Sequence, residues 1–93
     1  MREKDIEKEL AARTKAMEGI APKFTSPGFD GMPDRLVLLP GGRMGFVELK
    51  APGKKPRALQ LARHRLLRRL GFKVYVIDEI NQIDSVLEEI DHE

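Results

Sequence analysis

The chain has no cysteine and no tryptophan, one tyrosine and two histidines, His64 and His92. Each shortage excludes something. Without thiols there can be neither disulfides nor a thiolate metal site. Two histidines cannot furnish a histidine-rich zinc centre. A metal bound here must sit mainly on carboxylates, which favours hard ions such as magnesium or manganese. Four Phe, one Tyr and no Trp leave no visible stacking platform for single-stranded nucleic acid. No apolar run approaches a membrane span, and the charged start Met1-Arg2-Glu3-Lys4-Asp5 is not a signal-peptide core. These absences predict an intracellular, cytoplasmic protein with no membrane partner.

What is present suffices for a single domain over residues 1–93, near the low end of independently folding lengths. The composition is 41% hydrophobic and 34% charged, as expected of a globular fold. A net charge of +2 hides a strong asymmetry. Between Arg43 and Lys73 stand ten Lys or Arg residues and one acid, Glu48; from Asp78 onward stand seven acids and no Lys or Arg. A basic middle suits a polyanionic partner. Its one acid lies in an apolar strand-like run, where an unpaired carboxylate is costly.

Hydrophobic periodicity predicts a helix over 2–18, with Ile6, Leu10 and Met17 on one stripe and Gly19 as the stop. Glu3 falls near the centre line of that stripe and Glu7 at its edge. Residues 19–24 suggest a short strand, and 25–33, rich in Pro and Gly, a loop. Two strand-like runs, 34–39 and 43–50, flank Pro40-Gly41-Gly42, a hairpin signal. A basic loop over 51–56 leads to a second helix over 57–70, with Leu59, Ala62, Leu66 and Leu70 inward. A buried strand over 73–77 follows. The last helix starts at Glu79 or Asn81 and ends at Ile90, with Ile83, Val86, Leu87 and Ile90 inward. This order predicts an α/β fold, a mixed sheet flanked by helices, with the last strand parallel to its neighbour.

A hairpin centred on Gly41 and Gly42 pairs Pro40 with Arg43 and sets Asp34 opposite Leu49; one residue more in the loop sets it opposite Glu48. Phe46, Glu48 and Lys50 share one strand face, Val47 and Leu49 the other. Two carboxylates and an ammonium thus meet at one end of the hairpin. Two acids that close repel unless a positive charge lies between them, and a divalent cation meets that need. Such a cation activates water and stabilises charge on a phosphate, so the pattern points to phosphodiester hydrolysis.

Pro33-Asp34 followed by Glu48-Leu49-Lys50 matches the PD-(D/E)XK nuclease pattern. Gly31-Met32-Pro33-Asp34-Arg35, then Phe46-Val47-Glu48-Leu49-Lys50-Ala51-Pro52-Gly53, then Gln60 resemble the virus-type replication-repair nuclease domain, VRR-NUC, over most of the chain. The resemblance implies a restriction-endonuclease-like fold and a free-standing bacterial or phage nuclease. It implies that Asp34, Glu48 and the Leu49 carbonyl bind magnesium or manganese, with Glu3 or Glu7 as the helix glutamate. Lys50 would orient the water or the scissile phosphate, and Gln60 would support the site. It further implies a homodimer cutting branched DNA such as four-way junctions. A monomeric flap or single-strand nuclease and a non-catalytic nucleic-acid-binding module are the alternatives.

The expected phosphate contacts are Lys54, Lys55 and Arg57 in the basic loop, Arg35 beside Asp34, and Arg65, Arg68 and Arg69 on the outer face of the second helix. His64 reads as a surface histidine. The acidic last helix either repels DNA or covers a partner subunit.

Overall fold

The computed structural model describes residues 1–92. Helix α1 (Glu3–Ala16) forms where apolar residues recur at helical spacing, and it buries Ile6, Leu10 and Thr14. Glu3 and Asp5 in its first turn and Arg13 and Lys15 in its last complement the helix dipole. The helix ends at Ala16, two residues before the expected end at 18. Glu18 itself takes the left-handed conformation, φ 65°. The Gly19 amide then donates to the Thr14 carbonyl at 3.0 Å. Gly19 serves a different need, because a Cβ there would stand 2.4 Å from the Leu38 carbonyl oxygen.

The sheet has three strands, β1 (Arg35–Leu39), β2 (Arg43–Leu49) and β3 (Val74–Ile77), in the order β1-β2-β3. β1 and β2 are antiparallel, and β3 runs parallel to β2 as expected. Residues 19–24 do not form a regular strand. They touch β1 through isolated bridges, Ile20 to Leu38 and Lys23 to Arg35. Pro22, in the middle, has no amide to donate. It still accepts from the Leu36 amide, and the Phe24 amide binds the Asp34 carbonyl at 2.8 Å.

The hairpin loop is one residue longer than the two-glycine turn. Pro40–Gly42 make a single 3-10 turn, with φ 84° at Gly41 and 77° at Gly42. Leu39, not Pro40, therefore pairs with Arg43, and Arg35 pairs with Val47. Continued one step, this register sets Asp34 level with Glu48.

One sheet face carries Val37, Leu39, Val47, Leu49 and Ile77 against Ile6 and Leu10 of α1 and Ile83, Val86, Leu87 and Ile90 of α3 (Ile83–Asp91). The apolar face of α3 is thus consumed within the chain, which removes the reading in which it covers a partner. The other sheet face has a smaller cluster of Phe46, Leu67 and Val74. Phe24 and Phe72 meet the Phe46 ring edge-on at 5.8 and 5.7 Å.

The second helix, α2 (Ala58–Arg69), lies on this smaller side. Its expected inward set is overturned. Leu59 and Leu70 are exposed, and Ala62 and Leu66 are half-buried. Gln60, His64 and Leu67 point in. The reason is chemical: the sheet face beneath the start of α2 carries the Glu48 carboxylate, which takes polar neighbours more readily than leucines.

Candidate active site

Asp34 enters β1 from the Pro-rich loop, and its Oδ1 accepts a hydrogen bond from the Leu49 amide at 3.1 Å. One carboxylate thus spans the hairpin end, tied to the residue beside Glu48. Burial raises its pKa, which the Leu49 amide and the Arg35 and Lys50 charges oppose.

Glu48 is the most constrained acid here, 3% exposed. Gln60 Nε2 donates to its Oε2 at 3.2 Å, and Lys50 Nζ stands 3.6 Å from the same oxygen. Gln60 in turn accepts from the Arg57 amide at 2.8 Å, so the residue that starts α2 also orients the glutamate. Burial, then the Asp34 charge, push the Glu48 carboxyl up to about 7, against the pull of Lys50; Glu3 adds to the rise. Its Oε1 is buried without a hydrogen-bond partner. An orphaned buried oxygen beside a second carboxylate is a strongly electronegative spot. Asp34 and Glu48 are the side chains that could hold a hard cation, in the number magnesium takes when phosphate oxygens complete its shell. Among the described residues no group of three His, Cys, Asp or Glu side chains forms a metal cluster.

The helix glutamates separate. Glu7 Oε1 is bound by Arg35 Nη2 at 2.6 Å. Glu3 is exposed rather than on the buried stripe, and no ion pair among the described residues engages it. Both line a cleft of about 240 Å³ with Lys23, Phe24, Thr25, Asp34 and Arg35. Glu3 is therefore the helix acid left available to the site.

Two expectations are corrected here. Arg35 is not a phosphate contact: it is 8% exposed, paired with Glu7 and donating to the Ala21 carbonyl at 3.3 Å. Its alternate strand neighbours Val37 and Leu39 face the core, and it lies on their side of β1. His64 is not a surface histidine: it is 1% exposed, with Nε2 at 3.9 Å from Glu48 Oε1. Burial, with Arg68 and Lys50 nearby, lowers its pKa and so favours the neutral imidazole. Its place one turn after Gln60 was the available signal, since residues four apart share a helix face. Lys23 also escaped notice, because nothing local marks it; only the folding of 19–24 along β1 brings it to the cleft.

Lys54, Lys55 and Arg57 are exposed on the loop between β2 and α2, and Arg65 and Arg69 are exposed on α2. Arg68 is exposed too, and one of its nitrogens donates to the Val74 carbonyl at 2.9 Å. Among the described residues no helix is long and apolar enough to cross a membrane.

No family model matches the chain. A curated phage protein does: "Putative nuclease p44" of Acyrthosiphon pisum secondary endosymbiont phage 1 is 49% identical over 87 residues, 94% of this chain and 92% of that protein. A solved "VRR_NUC domain" superposes with a TM-score of 0.85 at 36% identity, over 92% of this chain and 94% of its own. Sequence and fold agree along nearly the whole length, and the chain belongs to the VRR-NUC family.

Proposed function

We propose that this protein is a metal-dependent DNA endonuclease that hydrolyses phosphodiester bonds, with Asp34, Glu48 and the Leu49 carbonyl as ligands of magnesium or manganese. One observation carries the reading: a buried carboxylate, level with a second carboxylate across a hairpin, with a lysine 3.6 Å away. The family and the name of the phage relative support the same chemistry.

When bound, the cation would lower the pKa of the attacking water and stabilise charge on the phosphate. The chain's own residues have distinct tasks. The Leu49 amide fixes the rotamer of Asp34. Gln60 fixes Glu48 from the helix side. Lys50, whose side chain is 18% exposed, reaches the surface beside Glu48 and holds the water or a non-bridging phosphate oxygen. Glu3, which lines the same cleft as Asp34, is the third acid in this reading. Lys54, Lys55 and Arg57 grip the flanking phosphates, and Arg65, Arg68 and Arg69 extend that track along α2.

The substrate in this reading is branched DNA, cut by a homodimer. Leu59 and Leu70, exposed on one flank of α2 away from Arg65, Arg68 and Arg69, offer apolar surface to a subunit contact. A two-fold dimer would present two sites symmetrically, as paired cuts across a four-way junction require.

The test is cleavage of end-labelled four-way junction, flap and plain duplex DNA with magnesium, manganese or EDTA, beside an Asp34→Ala control, with sedimentation of the protein alone. Metal-dependent cutting of the junction by a dimer, lost in the control, is the expected result. Preference for the flap by a monomer would replace the substrate and partner. Binding without cutting under either metal would overturn the enzymatic reading.

A further inference from the structure

Two buried polar atoms in the described structure have no hydrogen-bond partner, Glu48 Oε1 and His64 Nε2. They face each other at 3.9 Å. A stranded buried donor or acceptor is costly, so two such atoms side by side are a pair rather than two accidents. At 3.9 Å they are beyond hydrogen-bonding distance, and a closing movement of about 0.7 Å, shared between the two side chains, brings them to it.

The surroundings fix what His64 can do. Gln60 and His64 lie four apart on α2, so both side chains project onto the same carboxylate. Gln60 Nε2 holds Oε2; His64 Nε2 stands over Oε1. His64 is 1% exposed and its Nε2 is buried, so that nitrogen is closed to DNA and bulk water. Whatever it does, it does through Glu48. A carboxylate held on both oxygens cannot swing, and each oxygen still keeps a lone pair for a cation.

We propose that His64 is a positioning residue for Glu48, its Nε2–H donating to Oε1 while Gln60 holds Oε2. The inference rests on the reading of Glu48 as a metal ligand. Groups that orient a ligand from behind alter metal affinity by roughly ten- to a hundred-fold when removed. His64 then belongs to the metal site although it touches neither metal nor DNA.

The test is calorimetric titration of the full chain with Mn2+, without DNA, for wild type, His64→Leu and His64→Gln. Leucine fills the space without a donor, whereas the glutamine amide reaches the place of Nε2. The expected result is a roughly ten- to a hundred-fold loss of Mn2+ affinity in His64→Leu, with most of it restored in His64→Gln. Should His64→Leu fail to fold, a nitrogen-detected NMR measurement on wild type decides: a proton on His64 Nε2 whose resonance shifts in Glu48→Gln supports the proposal, and an unprotonated Nε2 overturns it. Equal affinity in all three proteins, or glutamine no better than leucine, would reduce His64 to packing. Wild type that binds no Mn2+ would instead overturn the metal reading itself, a failure visible before any variant is compared.

Discussion

Glu48 is an acid placed where its charge is least welcome: it is 3% exposed, and after burial the nearby Asp34 charge is the largest force opposing its ionisation. Its carboxyl titrates at about 7 against an ordinary value of 4.5. A raised carboxyl pKa means that the fold prefers the protonated form, so the associated stability is fully present below the unfolded value and lost as pH rises through the folded one. Metal-free protein should therefore lose stability between about pH 5 and about pH 7 and unfold at a higher temperature at about pH 5 than at about pH 8, the difference being at most about 3 kcal/mol. Glu48→Gln, which cannot ionise, should flatten that step. Thermal melting in EDTA across the range checks it, and an equally steep wild-type and variant profile would sink the assignment to Glu48. At this scale the sequence was informative about chemistry and less so about neighbours. The convergence of Asp34, Glu48 and Lys50 was legible because strand alternation and the hairpin bring the three positions to one end of the sheet. Arg35 and His64 were misread because burial and pairing are decided by residues distant in the chain, Glu7 in one case and Glu48 in the other.

Among the elements, the hairpin and the helices α1 and α3 follow from periodicity, because each buries a face whose spacing announces it. The hairpin register needed one more fact, the three-residue turn at Pro40–Gly42, which alternation alone does not supply. α2 shows where periodicity misleads. Leu59, Leu66 and Leu70 recur as an inward stripe would, yet the buried stripe is Gln60, His64 and Leu67, because a polar site demanded that face. Packing between elements makes its own prediction at Gly45. A Cβ there would lie 2.8 Å from both Cδ1 and Cγ1 of Ile90, which anchors α3 and is 1% exposed. Gly45→Ala should destabilise the fold by about 1–3 kcal/mol, the usual cost of overpacking. Combining it with Ile90→Val, which thins the opposing side chain, should cost less than the two changes summed. Denaturant melts of the three variants check this, and strict additivity would show that the sheet gives way instead of α3.

Across the molecule, charge is sorted by face. α3, with Asp84, Glu88, Glu89 and Asp91, covers one side of the sheet, while α2 and the loop before it carry Lys54, Lys55, Arg57, Arg65 and Arg69 on the other. Glu48 belongs to the α2 side. The sorting makes a modest net charge compatible with binding a polyanion, which the basic side would attract and the acidic side repel. Each phosphate neutralised adds close to one to the slope of log affinity against log salt. Replacing Lys54 and Lys55 with Glu should therefore weaken DNA binding and lower that slope by about two. Because neither residue touches Glu48 or Asp34, cleavage at saturating DNA should fall far less than binding does. Filter binding at several salt concentrations, with single-turnover cleavage alongside, checks both halves. A slope unchanged by the double reversal would move the phosphate track off the loop and onto α2, where Arg65 and Arg69 would be the next residues to reverse.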